Sequence, residues 1–297
     1  GPAVIYLSET VLYDCSNMNI TDTNAPTFGD KVMRQSFFFD CENLSADLTS
    51  WGTVASPVTG SIREILSNAS SSNPNLNFVF VDSSNVYRCF WFCLGFNNPL
   101  DNWNLSGSTS FVQTFSNATT FNQDISGWDV SSGVSFANMF GNSRAFNQDI
   151  SSWDMSSATT ITSMFREAVA FNQPIGTWNT SSVTSMQTTF EDATVFNQDL
   201  SAWDVGSLTT ATNMLTNSAI SSENWDRLLI GWAAQGTGAG SLQANVTLSN
   251  INQLHGSFDS AAIAAYNKLT ASPYSWTIVD LGAAVVGNLL LDTSYGS

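Results

Sequence analysis

Positive charge is scarce in this chain. Its 297 residues hold 8 Lys and Arg against 24 Asp and Glu, a formal net charge of −16. A nucleic-acid partner calls for a basic stripe, and an anionic membrane surface for a basic patch, so neither is expected. Charge of either sign is sparse, at 11% of residues, less than half of the usual quarter or so. Histidine occurs once, as His255 in the loop-like "QLHGSFD". A Ser-His-Asp or Cys-His site would have to use that residue, and no nucleophile elbow adjoins it. The chain therefore reads as a non-enzyme with His255 at its surface. Cys15, Cys41, Cys89 and Cys93 have no histidine or second cysteine pair at zinc spacing, so neither zinc nor any other cofactor is expected. No apolar run reaches the 18 or so residues of a membrane span. The chain opens on Gly1-Pro2 without Met, which fits a removed signal peptide or a cleavage scar.

What is present is apolar bulk set in uncharged polarity. The hydrophobic fraction is 43%, with 10 Trp and 20 Phe, ample for a core and unlike a disordered acidic chain. Asn, Ser and Thr supply the polarity, a composition common outside the cytosol. The even cysteine count fits two disulfides in an exported protein; four free thiols are the alternative.

The middle of the chain is periodic. "FNNPLDNWNL", "FNQDISGWDV", "FNQDISSWDM", "FNQPIGTWNT" and "FNQDLSAWDV" begin at Phe96, Phe121, Phe146, Phe171 and Phe196, 25 residues apart each time. A period of that size indicates a solenoid or array. Within each unit the Trp column (Trp103, Trp128, Trp153, Trp178, Trp203) is followed two residues later by Leu105, Val130, Met155, Thr180 and Val205, the alternation of a short strand. A Ser/Gly-rich step precedes Phe136–Met139–Phe140, Ile161–Met164–Phe165 and Met186–Phe190, whose spacings of three and four predict a short helix with one buried stripe. One strand and one helix per unit can stack as a right-handed α/β solenoid with parallel strands. Degraded units extend backward through "LSADLTSW" (Leu44 to Trp51) and Val79 to Gly95, placing Cys89 on the core column of Met139. The expectation is about seven coils over residues 44–220, roughly 35 Å long at about 4.8 Å per coil. Residues 1–43 form an N-terminal cap. Residues 221–280 form a C-terminal cap: helix "SSENWDRLLIGWAAQ" with Ser221 or Ser222 as N-cap, strand "ANVTL", helix Asp259 to Leu269 and strand "WTIVD". Residues 281–297 are an apolar, strand-like tail.

The repeat "FNQDISGWDVSS" followed by a Met-Phe pair resembles that of the BspA-like leucine-rich-repeat surface protein family. "NWDRLLIGWA…NVTL…WTIVD" resembles the segment closing such repeats there. Pro174 and Asn179 replace the two Asp columns in the fourth unit. The resemblance implies a leucine-rich-repeat-like solenoid and an extracellular, cell-surface protein with a binding or structural role. Some members of that family are adhesins for host matrix proteins.

Several columns invite chemical readings. Asp124, Asp149 and Asp199 share one, and Asp129, Asp154 and Asp204 another. Stacking would bring like charges close, a cost that calcium could offset. The favoured reading has each carboxylate accepting backbone N–H groups in its own turn. Asn97, Asn122, Asn147, Asn172 and Asn197 form a third column, an asparagine ladder for loop amides and carbonyls. The Trp column could be an exposed track for glycans, but its alternation with apolar residues favours the core. N-glycosylation sequons fall at Asn19, Asn43, Asn68, Asn104, Asn117, Asn179 and Asn245, a number chance supplies in a chain so rich in Asn, Ser and Thr. Cys41 and Cys93 fall in equivalent columns two coils apart, about 10 Å, too far for a bridge. The expected disulfides are therefore Cys15–Cys41 and the i,i+4 pair Cys89–Cys93.

Three functions compete. The first is an adhesin-like scaffold whose flank contacts a protein partner. The second is a self-associating subunit of an extracellular filament or coat. Its strands would be the apolar Val4, Ile5, Tyr6 and Leu7, and Val285, Val286, Leu289, Leu290 and Leu291, all outside the repeats. The third, a hydrolase, has only His255 to support it.

Overall fold

The structure, a computed structural model, describes residues 32–33, 36, 38–45, 47–49, 58–60, 62–81, 86–238, 241–250 and 260–280. Successive repeats lie on one another as layers. Early layers pair through four short strands in one parallel sheet: β1 (Val32–Met33), β2 (Val58–Gly60), β3 (Phe80–Val81) and β4 (Trp103–Asn104). Their registers include Val58 with Phe80 and Phe80 with Trp103. From there the layers are joined by single parallel bridges along Ser110, Ser135, Thr160, Ser185 and Thr210.

Of the strands expected along the Trp column, that at Trp103 forms as β4, while Trp128, Trp153, Trp178 and Trp203 lie outside any strand. Trp128, Val130 and their counterparts do alternate in burial as a strand would. Their backbone partners are taken locally, however. The Trp128 N–H donates to Ile125 O (3.1 Å), and that same carbonyl accepts the Trp153 indole (3.2 Å). Pairing therefore moves seven residues on, to Ser135.

The expected short helix is likewise absent: residues 86–220 contain no helix. In its place runs a ladder of turns. Asn138 and Asn142 have φ of 58° and 56°, in the left-handed region that breaks an α-helix. Met139, Gly141 and Ser143 donate backward to Phe136, Asn138 and Phe140 within the layer. Phe136, Asn138, Phe140 and Asn142 donate to Thr160, Thr162, Met164 and Arg166 of the next layer, at 2.6–3.1 Å. The three-and-four spacing is thus satisfied by consecutive turns, because every second N–H points along the stack. The ladder begins before residue 44, inside the expected cap: Ser36, Phe38 and Asp40 already donate to Arg63, Ile65 and Ser67.

Two phenylalanine columns run through the core. Phe96, Phe121, Phe146, Phe171 and Phe196 stack at 6.0–6.2 Å. Phe90, Phe115, Phe140, Phe165 and Phe190 stack beside them at 5.1–5.7 Å. The columns touch within each repeat, Phe140 and Phe146 lying 3.9 Å apart. Trp103, Trp128, Trp153, Trp178 and Trp203 are buried, no more than 4% exposed. Each donates its indole N–H to a carbonyl of the preceding layer, which satisfies the one polar atom these rings carry into the core.

The stack ends on α1 (Ser222–Gln235), N-capped by Ser221, whose hydroxyl accepts the Asn224 N–H. Trp232 continues the tryptophan column by donating to Leu200 O (3.1 Å). Strand β5 (Thr247–Asn250) bridges Ala211 through Leu248 and pairs in parallel with β6 (Thr277–Asp280); α2 (Ser260–Thr270) lies between them in sequence.

Candidate functional site

The Asp columns are used by their own turns. Asp124, Asp129, Asp149, Asp154 and Asp199 each accept the N–H of the serine two residues on, at 2.9–3.1 Å. Asp204 accepts Gly206, and Asn179 and Asn104 do the same for Ser181 and Ser106. These are Asx turns. The serine hydroxyl, then the serine N–H, holds the carboxyls of Asp124, Asp129, Asp149 and Asp154 below the ordinary carboxylate range. A lowered pKa in the folded state contributes stability above the unfolded value of about 4. The expected result is a melting temperature level between pH 7 and 5 that starts to fall below about pH 4. Calorimetry across that range checks it, and a melting temperature that rises on acidification would contradict it.

The asparagine column is continuous. Asn97, Asn122, Asn147 and Asn172 each accept, through Oδ1, the N–H of the next member (2.9 Å), and Asn197 accepts that of Ser221 (2.8 Å). Gln148 Nε2 takes the carbonyl of Asn122 (2.8 Å), and Asn224 of α1 takes that of Asn197 (3.1 Å).

The Cys89–Cys93 disulfide is corrected: no bond joins them. With Arg88 and Phe92 at φ of 53° and 58°, the segment is not the helix on which that pairing was drawn. Both side chains enter the core, and their thiols donate separately to Ile62 O (2.8 Å) and Leu66 O (2.6 Å) of the layer before. Burial pushes the Cys93 thiol far up. Cys41 is buried in the column of Cys93, with Ala69 between. Its expected partner Cys15 lies outside the described residues. So do Asn19, His255 and both assembly strands, Val4 to Leu7 and Val285 to Leu291. Among the sequons, Asn43, Asn68, Asn104, Asn179 and Asn245 are exposed and Asn117 is half-buried.

Two features of the turn ladder stand out on its outer edge. The first is an aromatic cluster. Trp91 and Phe92 meet edge to face at 4.5 Å. The Arg88 guanidinium lies 4.8 Å from the Trp91 ring and 4.9 Å from Tyr87, while its Nε donates to Gln113 (2.7 Å). Arg63 covers Tyr87 at 5.1 Å. Phe92 is 38% and Leu94 40% exposed. The position of Phe92 in other layers is held by Asn68, Asn117, Asn142, Glu167, Asp192 and Asn217, all at positive φ. A bulky aromatic there is uncommon.

The second feature is a polar cavity of about 100 Å³, lined by Ser116, Asn117, Asn138, Asn142, Arg166 and Glu167 around Gly141. The column of Trp91 reads Trp91, Ser116, Gly141, Arg166, Glu191; the missing side chain at Gly141 opens the space. Ser116 Oγ accepts Asn117 Nδ2 (3.1 Å) and Asn138 Nδ2 (3.4 Å). Asn142 Nδ2 donates to Asn117 Oδ1 (2.7 Å), and its own Oδ1 is buried with no partner among the described residues. Arg166 is held by Glu167 (3.0 Å) and Glu191 (2.8 Å). Sequence reasoning missed both features. Their signal was present as two departures from the repeat: aromatics where neighbouring layers are polar, and a glycine where they carry a side chain.

The sequence profile of a family described as "Mycoplasma protein of unknown function, DUF285" matches residues 61–171 and 149–228. No curated protein and no solved structure matches the chain.

Proposed function

The chain belongs to the DUF285 family, and from its repeat pattern and its exposed aromatic patch we propose that it is a non-enzymatic, extracellular cell-surface protein acting as a scaffold for protein interaction and adhesion. Its architecture is read as a right-handed, leucine-rich-repeat-like solenoid of the BspA-like kind, on the repeat and closing motifs it shares with those proteins. The observation that carries the reading is the cluster of half-buried Trp91 with exposed Phe92 and Leu94 beside Arg88, on a flank where the other layers carry polar or charged side chains or glycine. An exposed apolar patch with a polar rim marks an interaction site, and a stacked array offers it on an extended surface. Antibody raised to the chain should label intact source cells as strongly as permeabilised ones, and beads coated with it should adhere to a host-matrix layer. Labelling only after permeabilisation overturns the reading.

The filament alternative has one observation in its favour. The forward-donating N–H groups of the turn ladder give the stack a direction, which a head-to-tail assembly would preserve. The net charge of −16 opposes association. Native mass at high concentration separates the two: a monomer supports the scaffold, and fibres that disappear on deleting residues 283–297 support the filament.

A further inference from the structure

We propose that the cavity at Gly141 and the aromatic cluster at Trp91 and Phe92 form one binding cleft for an uncharged oligosaccharide. The proposal gives the scaffold reading a ligand class and rests on it for the biological setting, though not for the chemistry.

The two features adjoin through the backbone. Phe92 N–H donates to Ser116 O (2.9 Å), and Asn117 N–H donates to Gly141 O (2.8 Å). Ser116 thus touches the aromatic layer on one side and lines the cavity on the other. From the Trp91 layer to the Arg166 layer is three steps, about 15 Å at the parallel-strand spacing, room for two to three pyranose rings.

The chemistry at each end fits a sugar. The C–H face of a pyranose packs on an aromatic face, and here the aromatics are fixed before any ligand arrives. Arg88 is gripped by Gln113 and sits against both Tyr87 and Trp91. Binding therefore costs little side-chain entropy. The cavity supplies Ser116 Oγ, which accepts two amides and keeps its proton to donate, and Asn142 Oδ1, which lacks a donor. A hydroxyl-bearing ligand answers both, because each of its hydroxyls donates and accepts. A cation is disfavoured by the Arg166 guanidinium in the wall, already bound to Glu167 and Glu191. A polyanionic glycan is disfavoured by the net charge of −16.

The backbone supports the same conclusion. Phe92 sits at φ 58°, a conformation costly for a large side chain, in a column where asparagine recurs, and it is exposed. Its ring contact within the fold is with Trp91 at 4.5 Å, and the rest of the ring is open to a ligand.

The test uses the purified full chain. Malto-, cello-, xylo- and N-acetylchito-hexaose are titrated calorimetrically, with a heparin hexasaccharide and calcium chloride alone as comparators. At least one neutral hexasaccharide should bind. Phe92→Asn should weaken it tenfold or more while leaving the melting temperature unchanged or raised. Gly141→Ala should weaken it fivefold or more, because the new Cβ would lie 1.9 Å from Asn138 Oδ1 and drive that side chain into the cavity. The proposal is overturned if no neutral hexasaccharide binds at millimolar concentration, if both variants bind as the parent does, or if only heparin or calcium binds. Since the assay is independent of cellular location, its failure leaves the cell-surface reading standing, and failure of intact-cell labelling leaves sugar binding standing.

Discussion

Replacing Phe140, Phe165 or Trp153 by alanine should each cost about 3–5 kcal/mol. The two phenylalanines are fully buried and Trp153 is 4% exposed. Phe140 has aromatic neighbours on every side: Phe115 at 5.7 Å, Phe165 at 5.6 Å, Phe146 at 3.9 Å and Trp153 at 6.3 Å. Its removal leaves a void that the surrounding rings cannot close, because each is also held by its own neighbours along the stack. Trp153→Ala additionally strips the indole donor from Ile125 O. In an array where each layer is stabilised by the next, a hole in the middle weakens both halves. Thermal melting should show a drop of roughly 10 °C for each variant. The exposed Val134 (41%) changed to alanine serves as the control, expected within about 0.5 kcal/mol of the parent. Unchanged melting for all three core variants would show that the columns are wrongly aligned.

Gly231→Ala should destabilise the chain by a net of about 2 kcal/mol, against the trend for a helix. Alanine in place of glycine in a helix interior ordinarily gains up to about 1 kcal/mol. Here α1 rests its backbone on the last layer, and a Cβ at residue 231 would lie 2.2 Å from Ser201 O and 2.8 Å from its carbonyl carbon. Neither is a flexible side-chain tip, so the helix must lift, and such overpacking costs about 1–3 kcal/mol or more. Lifting also breaks the Trp232 indole bond to Leu200 O and the Gln235 bonds to Trp203 O (2.7 Å) and Val205 N–H (2.8 Å). Trp203, now fully buried, would meet water. Urea denaturation gives the sign directly. Faster hydrogen exchange at the Trp203 and Trp232 indoles would localise the loss, and an increase in stability would refute the docking.

The sequence by itself determined what repeats and what is buried. A 25-residue spacing fixes which residues share a column, and in a periodic stack residues of one column meet. The phenylalanine, tryptophan and asparagine columns, the Asx turns and the Ser221 cap were all legible for that reason, since each depends on chemistry local to one repeat or copied into the next. Tertiary structure decided the backbone's path between those columns. A spacing of three and four fits a helix or a run of turns equally well. Asn138, Asn142 and their counterparts at positive φ select the turns, because their N–H groups find carbonyls in the neighbouring layer that an isolated repeat does not offer. The same choice separated Cys89 from Cys93, since each thiol found a carbonyl in the layer before. It also brought Trp91 and Phe92 to one edge with Ser116 and Gly141, residues 25 positions apart in the same column and therefore indistinguishable by period from their structural equivalents. Periodicity reports what the layers have in common. A binding cleft is made where one layer departs from the rest, and only stacking shows which departures fall side by side.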